Sequence, residues 1–417
     1  MNGCYVPMMW EYNKTYCSEW FIGDIVSDDA LKGGGSTTDM ADAYDMENWR
    51  TTSQNTLLLD FYRAQYIGIG RCNLAIRYIS NMEVGIDKEF TQSMKERLLG
   101  EAYYLRAYYY FRLVRIYAGV PLVVDVIDDA ARWGQPRASV DAIYTQILSD
   151  LEMANKYLWV RSRLGDNDLG RATKGAAQAM LLKTNLYMAS PYWSSQVSKA
   201  QADCYADAKA WGDSIISSGE YTLCPKYEDN FTLAGENGQE SVFEIQYAEE
   251  EWGDYGDGQD PINFGHTSGS FTQILMRSRS SRIGGGWGFD KPTKNLYNEF
   301  ETADSVRRDV AILNPADSLI ETPTQEIYLG SPYLNNKYAM YRDTAVTQFH
   351  TTLMTQALLY SGRGYFDTID FDAYAKTETP EAQSHIQAFV KGKHEIFPIP
   401  QEEIQLNPTE MEQNPGY

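Results

Sequence analysis

The sequence has no long hydrophobic run, few cysteines and few histidines. None of its segments approaches the roughly 20 apolar residues that a membrane-spanning helix needs, and no charged start is followed by an apolar run and a cleavage site. We therefore expect the chain as given to be soluble. Cys4 follows Gly3, as at a lipoprotein processing site, but three preceding residues cannot form a signal sequence. We expect the chain to lack its native beginning or to start inside a longer precursor.

The scarce reactive residues exclude several classes of catalytic site. The five cysteines are odd in number and unclustered, which fits neither a disulfide framework nor zinc spacing, so we expect most of them to be buried small hydrophobes. A Gly-x-Ser-x-Gly hydrolase elbow is missing. Gly68 and Gly70 lack the third glycine of a dinucleotide site, and the loop at Gly33–Gly35 lacks a following Gly-Lys-Ser/Thr. No paired helical spacing suited to a metal links the histidines, which are His266, His350, His385 and His394.

Cations are also in short supply. Lysine and arginine number 36 against 57 acids, which gives a formal net charge of -21, with the acids spread along the chain. A surface of this charge repels phosphate backbones and anionic lipids, so a neutral or cationic ligand fits better. Aromatic residues, by contrast, make up 13% of the chain, and the 31 tyrosines far outnumber the 15 phenylalanines. Tyrosine suits surfaces that are apolar on one side and wet on the other.

The chain is organised around a core helix that runs from Lys95 towards Pro121. Apolar residues recur in it at steps of three and four, which predicts a buried face, and its many aromatic residues predict cover on two or more sides. We expect Gly119 to supply a left-handed turn that ends the helix, and Val120–Val126 to leave in an extended run. The residues of the stripe are Leu98, Ala102, Leu105, Tyr109, Leu113 and Ile116.

The remaining pattern predicts a mainly α-helical, tetratricopeptide-like repeat scaffold with an irregular loop-rich insertion and a few short strands. At 417 residues the chain exceeds a single hydrophobic core, so it needs two domains or a repeat scaffold. Alternation over Glu240–Tyr247 predicts a short strand, and Asn295–Phe300 predicts a short helix. The further predicted scaffold helices cover 55–81, 139–158, 172–189 and 202–218.

The stretch 249–288 is rich in Gly, Ser, Asp and aromatic residues and has almost no helical period, which predicts an elaborated loop region. Aromatic rings in loops can pack on the apolar face of a sugar while neighbouring polar groups bind its hydroxyls. Each such ring has the alternative role of a core residue or a loop anchor, and Trp287 inside GGGWGFD fits the structural role best. The candidate residues for sugar binding in loops are Trp49, Trp252, Tyr255 and Trp287.

Acidic residues beside these rings leave an enzymatic alternative open, because glycoside cleavage requires only two carboxylates that flank a sugar. The same acids could bind structural calcium, although their D-x-x-D-x-x-D spacing differs from that of an EF-hand loop. A solvated acidic loop is the other interpretation. We therefore expect no cofactor, with structural calcium as the one open alternative. The acids are Glu249, Glu250, Glu251, Asp254, Asp257 and Asp260.

Several segments together carry a family resemblance, and they cover most of the chain from Gly70 onward in one order. They are RCNLAIRYI (71–79), GEAYYLRAYYYFRLVRIYAGVPLV (100–123), KGAAQAMLLKTNLYMAS (174–190), IISSGEYTL (215–223), ESVFEIQY (240–247), GWGFDKPTKNLYNEFETADSVRRD (286–309) and FPIPQEEIQLNPTEMEQNPGY (397–417). Together they resemble the SusD/RagB family, the nutrient-binding outer-membrane lipoproteins of Bacteroidetes.

The resemblance implies a lipid-anchored cell-surface protein that binds oligosaccharides without catalysis and delivers them to a TonB-dependent, SusC-like transporter. It implies one SusD-like domain over 1–417, with a helical repeat scaffold (54–220), a loop-rich ligand-binding subdomain (221–345) and a C-terminal segment (346–417) that packs back on the scaffold. The lipid anchor would be absent from this chain. In starch-binding members a Trp and an Asn just before the first long helix contribute to binding, and Trp49 and Asn55 occupy a comparable place. A helical glycoside hydrolase and a peptide-binding or protein-interaction scaffold remain the alternatives.

Overall fold

The computed structural model describes residues 1–10, 19–247, 272–276 and 286–312. None of the helices in these ranges combines the length and the apolar character needed to cross a membrane. In chain order the helices are α1 (Asn2–Tyr5), α2 (Trp20–Gly23), α3 (Ala41–Glu47), α4 (Thr56–Asn81), α5 (Gln92–Tyr117), α6 (Val140–Tyr157), α7 (Lys174–Ala189), α8 (Gln201–Ser217), α9 (Thr272–Met276), α10 (Lys294–Glu299) and α11 (Ser305–Ala311), and the strands are β1 (Ala30–Gly33) and β2 (Phe289–Pro292).

The chain divides into two compact units. Among the described residues, the first unit contains 1–10, 54–224 and 237–247, and the second contains 19–53, 225–236, 272–276 and 286–312. The first unit holds the long helices, and the second holds the two-stranded sheet. The domain boundaries that the sequence suggested remain predictions.

In the first unit each of the helices α4 to α8 packs against the next one along the chain. The bounds of α4, α6, α7 and α8 lie within two residues of those expected from the 3.6-residue hydrophobic period, and α5 starts three residues earlier than expected. The predicted mainly α-helical, tetratricopeptide-like scaffold is confirmed. Helices α4 and α5 pack closely at Gly68, because an added Cβ there would lie 2.4 Å from the ring of Tyr109. At Gly70 an added Cβ would meet nothing within 4 Å.

Helix α5 is the most deeply buried element, as its aromatic content predicted. Its stripe is buried from Ala102 to Leu113, and Tyr104 and Phe111 are also buried, so the helix is covered on more than one side. Cys4, Cys72 and Cys204 pack into the same core as unpaired thiols, as expected of small hydrophobes.

The end of α5 corrects one sequence prediction. The residue with positive φ after the helix is Ala118, at 56°, and not Gly119. Gly119 has a different role, because a Cβ at that position would lie 2.3 Å from the carbonyl oxygen of Ala138. Two backbone segments therefore approach too closely for any side chain, and this long-range contact cannot be deduced from the local pattern.

Buried charges fix the register of the central helices. Arg106 on α5 donates to both carboxylate oxygens of Asp150 on α6, with Nε–Oδ2 at 2.8 Å and Nη2–Oδ1 at 2.6 Å. Its third nitrogen donates to Asn73 on α4 and to the Val124 carbonyl, both at 2.8 Å. Burial raises the pKa of Asp150, and the Arg106 guanidinium opposes that shift. A bidentate buried pair of this kind is directional, so it specifies how the helices align.

The predicted strand at Glu240–Tyr247 is wrong, since residues 241–247 have no regular strand pairing in the described structure. Val242, Phe243 and Ile245 all pack against the core, instead of alternating between two faces. Phe243 contacts the ring of Tyr104 with centroids 5.2 Å apart. The segment 241–247 is a strap, by which we mean an unpaired segment that packs on the helical core. Its alternating sequence does not reflect a sheet.

The second unit is built on the antiparallel pair β1 and β2, with Ala30 opposite Pro292 and Gly33 opposite Phe289. Its core contains buried aromatic and aliphatic side chains, namely Trp20, Phe21, Ile25, Met46 and Phe289. The expected short helix near Asn295 is confirmed as α10. Short strands were expected, but the sequence did not predict their positions at β1 and β2, nor α9 inside the stretch expected to be loop.

Candidate functional site

Helix α3 in the second unit ends at Glu47, and Trp49 follows two residues later. The backbone N–H of Asn48 donates to the Tyr44 carbonyl at 3.1 Å, and the Asn48 side-chain amide donates to the same oxygen at 2.8 Å. The N–H of Trp49 then donates to the Met46 carbonyl at 3.1 Å, with φ at 57°. A left-handed residue commonly ends a helix, but that residue is normally glycine or asparagine.

Two properties of Trp49 are unfavourable for folding at once. The left-handed conformation costs a residue with a Cβ roughly 1–2 kcal/mol, and the indole side chain is 83% exposed. A large apolar ring in this position contributes almost no buried area that could offset the strain. Strained and exposed together, Trp49 is a candidate for a binding contact, because strain of this kind is concentrated at functional sites.

Polar groups on the same turn surround the backbone of Trp49. Arg50 donates from Nε and from Nη2 to Oδ1 of Asp45, at 3.3 and 3.1 Å, and its backbone N–H donates to the Asp45 carbonyl at 2.8 Å. The guanidinium carbon lies 5.2 Å from the centroid of the Tyr44 ring. We call Tyr44, Asp45, Trp49 and Arg50 the Trp49 platform. It combines an apolar ring with hydrogen-bond donors and acceptors, and a sugar-binding site needs both.

A buried lysine on β1, Lys32, contacts the ring of Tyr44 in the platform. The Lys32 ammonium on β1 donates to the carbonyls of Ser36 and Asp39, both at 2.7 Å, and lies 5.9 Å from the centroid of the Tyr44 ring. The Lys32 backbone N–H donates to the Glu47 carboxylate at 3.2 Å, which ties β1 to the end of α3. These contacts hold α3 and its final turn against the sheet, so Trp49 projects from a fixed base.

The other sequence-predicted site residues differ in their surroundings. Asn55, in the first unit, is 5% exposed, and its Oδ1 accepts the Leu58 N–H at 3.1 Å, so it caps the start of α4. Trp287, in the second unit, is half-buried two residues before the core residue Phe289. Trp252 and Tyr255 lie outside the described residues.

Sequence reasoning missed three members of the platform. Tyr44, Asp45 and Arg50 were not singled out, because Asp45 and Arg50 are five residues apart, which is not the spacing of an ion pair along a helix. Their pairing depends on the turn at Trp49. The signal that was available is Asn48 followed by Trp49 and Arg50 just past the helical segment, a polar stop followed by a large ring.

The acids proposed for glycoside cleavage, at positions 249–260, lie outside the described residues. Within the described ranges, a carboxyl pair does occur in the second unit, where the half-buried Asp24 and the buried Asp290 are hydrogen-bonded to each other. Burial raises the pKa of Asp290 well above its usual value, and the neighbouring Asp24 raises it further. A glycosidase needs about 5 Å or more between its carboxyl groups to admit the sugar, so a directly bonded pair has the wrong separation.

Glu101, in the first unit, is the other deeply buried acid with a raised pKa. Burial raises the pKa, while Arg171 and Arg97 oppose the shift. Arg171 Nη1 donates to its Oε2 at 3.0 Å, and the Tyr5 hydroxyl donates to the same oxygen at 2.9 Å. Through these two bonds to Oε2, Glu101 ties the chain start to α5. No group of three or more His, Cys, Asp or Glu residues suited to a metal ion occurs in the described part of the chain.

Residues 9–186 match the SusD-like family model whose description is "Starch-binding associating with outer membrane". A SusD-like protein of Bacteroides ovatus is 24% identical over 284 residues, which is 66% of this chain and 47% of the relative. The chain is therefore similar to SusD-like proteins over this region. It spans about half the length of the curated relatives that it matches.

Solved structures support the same fold. Surface glycan-binding protein A from Bacteroides fluxus superposes with a TM-score of 0.63 at 22% identity, over 97% of this chain and 82% of that one. Surface glycan-binding protein A from Bacteroides thetaiotaomicron, in complex with laminarihexaose, also gives 0.63, at 18% identity, over 97% and 91% of the two chains. At these identities the likeness concerns the fold, which agrees with the SusD-like scaffold seen here.

Proposed function

We propose that this SusD-like chain binds a neutral oligosaccharide on the Trp49 platform without cleaving it. The observation that carries the proposal is Trp49 itself, held at a φ of 57° and 83% exposed. Sugar rings stack their C–H faces on such an indole, and the flanking Asp45 and Arg50 supply acceptors and donors for hydroxyl groups. The family match includes the whole platform, because it spans residues 9–186.

The proposed ligand class is a neutral glucan, with laminarihexaose as the first candidate. That ligand is bound by a structural neighbour with the same fold, and the net charge of -21 disfavours polyanionic glycans. We further propose that the full-length protein is lipid-anchored at the outer-membrane surface and passes its ligand to a TonB-dependent transporter. Support for location and partner comes from the family description, which names association with the outer membrane.

Calorimetry with laminarihexaose, maltohexaose, cellohexaose and xylohexaose tests the binding proposal. We expect one or more of these ligands to bind the wild type and Trp49→Ala to weaken that binding at least tenfold. Trp133→Ala is the matched control, because Trp133 is 74% exposed but belongs to the first unit. An equal loss in both variants, or no loss in Trp49→Ala, would contradict the assignment of the site.

A second measurement separates binding from turnover. The bound oligosaccharide, incubated with the protein at high concentration, should show no increase in reducing ends. Trp252→Ala, Tyr255→Ala and Trp287→Ala test the remaining predicted contacts, which we propose as secondary contributors. Release of reducing ends, abolished by an amide substitution among the acids at 249–260, would instead establish the hydrolase alternative.

A further inference from the structure

We propose that the Trp49 platform discriminates against acidic sugars and that Asp45 is the residue that sets this specificity. The inference rests on the proposed function, since it concerns the ligand class of the same site. It depends on the hydrogen bonds between Asp45 and Arg50, the only arginine of the platform.

Arg50 presents the Nε–Nη2 edge of its guanidinium to Asp45, with both nitrogens bonded to Oδ1 at 3.3 and 3.1 Å. This edge is one of the forks that bind a carboxylate or a sulfate in bidentate fashion. A uronic acid or a sulfated sugar at the platform would have to compete with Asp45 for it. Because Asp45 is five residues from Arg50 in the same chain, it competes as an intramolecular ligand at high effective concentration.

The charges around the pair also disfavour an anion. Between residues 41 and 53 the chain carries three acids, Asp42, Asp45 and Glu47, against the single cation Arg50. The ammonium of Lys32, the cation beneath Tyr44, is buried and donates to the Ser36 and Asp39 carbonyls. A neutral sugar avoids this repulsion and still finds the ring, a carboxylate and the outer guanidinium N–H groups.

Asp45→Asn is the decisive substitution. The amide keeps the shape of the side chain and an oxygen that can accept from Arg50, but it removes the negative charge, so the platform gains one net positive charge. Asp203→Asn is the matched control, because it makes the same change of net charge at an exposed position on α8 of the first unit.

Calorimetry with two hexamers of equal length, laminarihexaose and hexagalacturonate, measures the effect. We expect wild type and Asp203→Asn to bind laminarihexaose and to bind hexagalacturonate at least tenfold more weakly. Asp45→Asn should raise the ratio of the affinity for hexagalacturonate to the affinity for laminarihexaose at least tenfold above the wild-type ratio, whatever the loss of a carboxylate acceptor does to laminarihexaose binding. This gain in the ratio should vanish in 0.5 M NaCl and in the double variant Asp45→Asn, Arg50→Gln, because it is carried by the released arginine.

The outcomes separate this inference from the proposal beneath it. If laminarihexaose binds at Trp49 but the ratio does not rise in Asp45→Asn, or rises no more than in Asp203→Asn, the specificity assignment is wrong and the binding site stands. Equal affinity of the wild type for both hexamers would likewise refute the specificity assignment and leave the binding site standing. Binding of neither hexamer by wild type and Asp45→Asn overturns the inference together with the proposed site.

Discussion

Replacement of Trp49 by glycine should remove the ligand contact and relieve the backbone at the same time. The strain of the left-handed conformation is about 1–2 kcal/mol for a residue with a Cβ. Glycine has no such strain, but its unfolded chain is more flexible, which costs roughly 0.5–1 kcal/mol. The side chain of Trp49 is 83% exposed, so its removal loses little burial. The expected result is a second unit that is up to about 1 kcal/mol more stable.

Trp49→Ala is the matched comparison, because it deletes the same ring but keeps the Cβ and therefore the strain. Urea unfolding followed by far-UV circular dichroism, with unchanged m-values, should place the transition midpoint of Trp49→Gly above that of Trp49→Ala. Both variants should lose oligosaccharide binding equally. An alanine variant as stable as the glycine variant would show that Trp49 is not strained, and the main support for its functional role would be gone.

Three further predictions, at Asn55, at Gly68 and at the Asp24–Asp290 pair, are tested by the same unfolding measurement. Asn55→Ala should destabilise α4 by about 1 kcal/mol, whereas Asn55→Ser keeps a capping oxygen and should stay within about 0.5 kcal/mol of wild type; equal losses would contradict the capping role. Gly68→Ala should destabilise by several kcal/mol, because its Cβ would lie 2.4 Å from a packed tyrosine ring. Gly70→Ala, on the exposed side of the same helix with nothing within 4 Å, should be neutral or stabilising by up to about 1 kcal/mol, so similar effects at both glycines would refute the packing. The pKa of Asp24 and that of Asp290 are raised by burial above the unfolded value, so the folded state binds more protons and the second unit should lose stability as pH rises from about 4 through the folded pKa values. Asp290→Asn should flatten this pH dependence of the unfolding midpoint, and an unchanged slope would exclude the pair as its source.

The long helices were predictable because their information is local. Leu105, Tyr109 and Leu113 repeat at helical spacing, and Asn55 precedes the first long helix as a capping residue, so both the period and the boundary can be found in consecutive residues. Packing of one such helix on the next then follows from their apolar faces. The scaffold therefore needed no knowledge of distant contacts.

The second unit was missed for the opposite reason. Its two strands pair Ala30 with Pro292, and the Thr293 N–H donates to the Asp29 carbonyl at 2.8 Å across a similar separation in sequence. Neither strand alternates strongly enough to be identified by itself. The segment at 240–247 alternates clearly but is a strap, because Val242, Phe243 and Ile245 face one continuous core. Period-2 patterning indicates a strand only where two different environments flank the chain.

The candidate site lies between these two cases. The sequence identified Trp49 as a loop aromatic, but two alternatives, anchor and ligand contact, could not be separated without the backbone conformation. An anchoring ring would be buried, and a residue that merely ended α3 would be glycine or asparagine. The structure shows an exposed indole at a φ of 57°, next to an arginine already engaged by Asp45. A position that is unfavourable for both burial and backbone is best explained by a contact outside the chain, which we propose to be with a neutral sugar.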